Sequence, residues 1–159
     1  MQAYLNDPAV KDTFLARVRQ HREADELVQG FGYWMDGKGC AVGCTLHVND
    51  APHQHYEPVL GIPERLAHLE DAIFEGLPKD DAQQWPERFL AAIRVGADLS
   101  LIHHQFCAWL LLDSGLLTIT DGNRVAIRTV GELHRQAADG IEVPTKSWSA
   151  AWSAAWSAA

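Results

Sequence analysis

Glycine and proline punctuation limits this chain more than any other feature. Twelve Gly and seven Pro divide the 159 residues at 30–39, 61–63, 76–78, 86, 96, 115 and 140–144. The pieces between these breaks are too short for long helices, and their apolar residues recur mostly at three- and four-residue intervals, the period of an amphipathic helix. Asp7-Pro8 reads as an N-cap followed by proline at the first helical position, and Val10, Phe14, Val18, Leu27 and Val28 extend a predicted helix over 8–28. Residues 30–39 carry four glycines among aromatics and read as a loop with a short extended piece at Phe31–Trp34. Cys40–His47 begins a short helix, and Asn49–Pro58 reads as a polar, His-rich loop.

Further helices are predicted from Glu64 to about Leu77, with Leu66, Leu69 and Ile73 on one face, and from Pro86 to Gly96, preceded by a separate turn at Asp81–Trp85. Asp98 is expected to cap the next helix, whose Leu99, Ile102, Phe106, Trp109 and Leu110 make a broad apolar face. Leu116–Thr120 looks extended. Asp121 then caps a helix bearing Ala126, Val130, Leu133 and Ala137, preferred over a hairpin because its period runs longer than the alternation does. The expected fold is mainly α: a helical globular domain of five or six helices over 1–139 with room for a small β element, a connector at 140–146, and a tail helix over 147–159.

The tail repeats Trp-Ser-Ala-Ala from Trp148, Trp152 and Trp156. Alanine favours helix, and each four-residue step drifts by only ~40°, so the three indoles should share one stripe. A helix this short is marginal alone in water and needs something to pack on. Trp148, Trp152 and Trp156 are therefore the candidate partner-binding residues, docking on their own domain, a sister subunit or another protein.

Charge narrows the partners. The formal net charge is −8, and residues 49–81 hold eight acids against Arg65 and Lys79. No basic stripe of the kind that neutralises phosphates is present, so nucleic acid is not expected as a partner. The repeat tail lacks Lys and Arg to meet anionic lipid, and no run approaches the ~18 apolar residues of a membrane span. An odd set of three cysteines without a secretory leader is expected of a cytoplasmic chain that keeps its thiols.

Two chemistries compete in Gly37–His47. On a helix, Cys40, Cys44 and His47 would fall at i, i+4 and i+7, one face of soft ligands for zinc, completed by His103, Cys107 or the His53-Gln-His55 loop. Otherwise Cys40, at a helix N-terminus beside Lys38, is a candidate nucleophile with a lowered pKa, and His47, His55, His103 or His104 a candidate base. Against both stands burial of cysteine as a small core residue, which leaves the chain without a cofactor. A phosphate-loop match at Gly32–Gly39 is rejected, since glycine replaces the hydroxyl residue that would hold Mg²⁺.

The run Gly39-Cys-Ala-Val-Gly-Cys-Thr-Leu46, with Leu60–Pro63, Leu69–Asp71, Phe74–Leu77, Trp85-Pro86 and Gly96–Leu99, resembles a group of uncharacterised bacterial and phage proteins with Ala/Ser/Trp repeat tails. The resemblance covers most of residues 1–110 and the tail. It implies no activity and directs attention to residues 39–46. The function expected is association, through the Trp stripe and the acidic surface, with a thiol enzyme or zinc protein centred on Cys40, Cys44 and His47 as the alternative.

Overall fold

Asp7 and Pro8 open α1 (Pro8–Glu23) in the computed structural model, which describes residues 1–157. The Asp7 carboxylate accepts the Ala9 N–H at 2.8 Å, satisfying one of the helix's unpaired donors. The helix stops short of the expected residue 28 because Asp25 turns left-handed (φ 57°) and sends Glu26–Val28 alongside Gly39. A hairpin follows: β1 (Trp34–Met35) pairs antiparallel with β2 (Lys38–Gly39). Asp36 and Gly37 between them both have positive φ, as a two-residue turn matched to strand twist requires.

Next come α2 (Ala41–Leu46), α3 (Pro52–Leu60), α4 (Glu64–Gly76) and α5 (Lys79–Ala92). Two expectations are corrected here. Residues 52–60 are a helix, not a loop: proline sits at its first position, and His53, Tyr56 and Leu60 are buried along it. The separate turn and helix expected around Pro86 are one continuous helix. Pro86 is buried within it together with Ala82 and Leu90, so packing on that face offsets the roughly 3 kcal/mol that an interior proline costs.

The chain forms two compact units, Met1–Leu99 and Ser100–Ala159. In the first unit Tyr4, Val18, Val42, Tyr56, Leu60, Ile62, Phe74 and Leu90 are fully buried. Its start is strapped down: Tyr4, Leu5 and Asn6 are successive left-handed residues, held as the Tyr4 hydroxyl donates to the Leu90 carbonyl at 2.6 Å. Ala3 exchanges backbone bonds with Gly96 and Ala97, and Gly61 admits the Gln2 carbonyl where a Cβ would lie 2.1 Å away.

The second unit contains α6 (Ile102–Leu112), α7 (Arg124–Ala138) and α8 (Thr145–Ser157). Asp98 does not cap α6, whose N-cap is Leu101, and α7 starts from Asn123 rather than Asp121. No strand forms over 116–120. Gly131 of α7 permits close approach to α6, since a Cβ there would lie 2.6 Å from Leu112.

Candidate functional sites

The two glycines that frame the Gly-Cys-Ala-Val-Gly-Cys motif serve backbone packing. A Cβ on Gly39 or Gly43 would lie 1.9 or 1.4 Å from the Tyr33 carbonyl oxygen, so both positions must be glycine for the hairpin to rest on α2. This contact seals the motif. Cys40, the N-cap of α2, is 2% exposed and Cys44 is wholly buried. The Cys44 thiol donates to the Gly39 carbonyl at 3.4 Å, and burial pushes its pKa up to about 12. Burial and the Asp71 carboxylate push the Cys40 thiol upward as well. The lowered pKa expected of a nucleophile at Cys40 is therefore reversed: desolvation outweighs whatever a six-residue helix and an exposed Lys38 contribute.

His47 turns away from the cysteines. It ends α2 in a left-handed conformation (φ 59°), and its Nε2 lies 2.7 Å from Nε2 of His21 on α1. His21 Nδ1 in turn meets a Glu26 carboxylate oxygen at 2.6 Å. Trp34 stacks on the His47 ring at 4.2 Å and meets the His21 ring edge-on. His21 is buried while His47 is exposed, so the series runs from the interior to the surface. Desolvation, Arg17 and His21 all lower the His47 pKa.

Behind α2 lies a buried polar cluster. Glu70 is fully buried and accepts the Tyr56 hydroxyl at 2.6 Å; burial raises its pKa to about 8. His53 meets the Asp71 carboxylate at 3.1 Å and stacks on His68. The remaining oxygens of Glu70 and Asp71 have no hydrogen-bond partner. His103 and Cys107 lie on α6 in the second unit. Among the described residues no group of three or more His, Cys, Asp or Glu side chains is placed to hold a metal ion.

The second unit offers a different kind of site. Among its described residues the buried positions are Ala108, Ala126, Gly131 and Ala151, all small. Several of its large apolar side chains face water while others are half-buried: Leu116 is 72% exposed, Val125 74%, Trp152 67% and Trp156 70%. The tryptophan stripe is thus divided. Trp148 packs edge-on against His134 at 4.8 Å, and the His134 ring nitrogen Nδ1 lies 2.9 Å from that of His104. Trp152 and Trp156 instead meet each other edge-on at 6.3 Å on the outside. Beside them runs a groove of about 540 Å³ between α7 and α8, lined by Leu111, Ala126, Ile127, Val130, Trp152 and Ala155 among others, none charged. No helix among the described residues is long and apolar enough to cross a membrane.

Sequence reasoning missed His21, Glu26 and Trp34, which the reversal at Asp25 and the hairpin bring to His47. It also missed the burial of Glu70, which the expected reading placed on a solvated acidic face. No family model, curated protein or solved structure matches this chain.

Proposed function

We propose that this protein works by self-association, and that a second copy of the chain covers the exposed apolar surface of its second unit. The carrying observation is the exposure of Trp152 and Trp156 beside an uncharged groove, in a unit whose buried positions among the described residues are all small. Exposed aromatic surface of this kind marks an interaction site.

The charge distribution favours a second copy as the occupant. Residues 1–99 hold nine Lys/Arg against sixteen Asp/Glu, whereas residues 100–159 hold four against five. Repulsion between copies therefore resides in the first unit, and copies that meet through the second encounter little of it. The repeat from Trp148 onward offers no cation for a lipid headgroup or phosphate, the one lysine of α8 being Lys146 ahead of it, and we place this association in the cytoplasm, where the cysteines stay reduced.

Sedimentation velocity over a concentration series tests the proposal. The wild-type chain is expected to form a dimer, and Trp152→Ser/Trp156→Ser to weaken it by about 30-fold or more, as loss of a hot-spot residue does. A wild-type chain that stays monomeric, or a variant that assembles equally well, overturns it. The thiol-enzyme alternative has less support, since both α2 cysteines are buried and raised in pKa.

A further inference from the structure

The tail helix is held down by little. Among the described residues of α8 only Ala151 is buried, and Trp148 is its one half-buried large side chain. A helix of 13 residues is marginal alone in water, so α8 depends on what Trp148 rests on. That support is a pair of imidazoles from two other helices. Trp148 stacks on His104 of α6 at 5.9 Å and meets His134 of α7 edge-on at 4.8 Å.

The Nδ1 atoms of His104 and His134 lie 2.9 Å apart, a contact in which one ring donates and the other accepts. A first added proton enters at the outer nitrogen of the donating ring and leaves this bond in place. A second must enter at the accepting Nδ1. It turns the contact into two opposed donors and sets two positive rings against each other, with the His103 ring only 3.7 Å from that of His104. The docked cluster therefore takes up one proton fewer than the same rings held apart.

The surroundings do not offset that charge. Burial and His104 both lower the His134 pKa. One turn away along the helices lie Cys107 and Ala108 on α6 and Val130, Gly131, Ala137 and Ala138 on α7, none a carboxylate. Arg135, beside His134, pairs with Asp113 at 2.9 Å, and the one charged side chain of α8 is a further cation, Lys146.

We propose that the His104–His134 pair is an acid-sensitive latch, which holds Trp148 and with it α8 until both rings are protonated, and then releases the helix. The latch acts within one chain and goes beyond the self-association proposed above. Docking is complete above the ordinary imidazole value of 6.5 and is lost as pH falls below it, by up to about tenfold per pH unit for the one extra proton that the released form binds.

The test is NMR of the full-length chain, at a concentration where sedimentation shows it dissociated, from about pH 7.5 to 5. Amide protection over residues 145–157 is expected to fall about tenfold or more across the acid end, with the Trp148 indole N–H signal shifting in step, while α6 and α7 stay protected. His134→Asn puts an amide oxygen near the place of Nδ1, where it accepts from His104 in either charge state, and histidine and asparagine have similar helix propensity. That variant should lose the acid response, and Trp148→Ala should free α8 at every pH. The proposal is overturned if α8 stays equally protected at pH 5, or if His134→Asn follows the wild-type profile. It is equally overturned if the ring ¹⁵N signals of His104 and His134 titrate as two independent, ordinary imidazoles. A chain that never dimerises would overturn the self-association reading and leave these readouts unchanged.

Discussion

The two units differ in what their interiors are made of. The first buries Tyr4, Tyr56, Phe74, Leu60, Ile62 and Leu90 completely, and it still has room for a carboxylic acid paired with a tyrosine. The second buries alanines and a glycine, and leaves Leu116, Val125, Trp152 and Trp156 in water. At roughly 25 cal/mol per Å² of apolar area, large side chains supply most of a domain's stability. The first unit therefore has a core of large side chains, while the second, whose Ile102, Phe106, Leu110, Ile127, Val130 and Leu133 are only half-buried, has hydrophobic stabilisation still to gain. Helical content alone does not distinguish them; the size of the buried residues does.

Substitution should break the comparison first where it is strongest. Phe74→Ala removes a fully buried ring and is expected to cost about 3–5 kcal/mol in denaturant unfolding. Val125→Ala, at a position 74% exposed, should stay within about 0.5 kcal/mol in the dissociated chain. Similar costs at the two positions would erase the distinction between the units.

A pH titration sharpens it next. Burial raises Glu70 from 4.5 to about 8, so the folded chain retains a proton that the unfolded chain has released. Its contribution is fully present below about pH 4.5 and is lost as pH rises towards 8, with a slope of at most about 1.4 kcal/mol per pH unit. Glu70→Gln, which cannot ionise, should flatten the decline between pH 5 and 8 relative to the wild type. An unchanged profile would mean that the acid is solvated. The smallest effect concerns a helix end: Asp7→Ala removes the α1 cap and should cost about 1 kcal/mol by the same unfolding measurement. The Asn123 side chain makes no capping bond to α7; it accepts the Thr120 N–H at 2.7 Å and donates to the Thr118 carbonyl at 3.2 Å, so any cost of Asn123→Ala should come from loosening the 118–120 segment and not from loss of a helix cap.

Much of this was legible because local signals were sufficient. Asp7-Pro8 marked the start of α1, and the apolar period of Leu66, Leu69 and Ile73 marked α4. The Trp-Ser-Ala-Ala repeat marked α8. Other elements depended on tertiary context. In α3 the buried face includes His53, which counts as polar in a sequence and hides the period of His53, Tyr56 and Leu60. Pro86 reads as a boundary, yet its burial with Ala82 and Leu90 holds α5 together across it. The cysteine motif was located correctly as a short helix, but its chemistry was not legible. Spacing placed Cys40, Cys44 and His47 on one face of an ideal helix, whereas the left-handed end of α2 sends His47 to His21. That partner lies 26 residues away, beyond any local periodicity. The tail stripe was legible as a stripe; its division between a packed Trp148 and two exposed indoles depended on where His134 lies.

Amide hydrogen exchange across the chain, measured at low and high protein concentration, tests most directly whether association completes the second unit. Protection over residues 102–157 is predicted to rise with concentration, while the α3, α4 and α5 amides remain equally slow at both. Slow, concentration-independent exchange in both units would contradict the account, because it would show that the second unit is already complete within one chain.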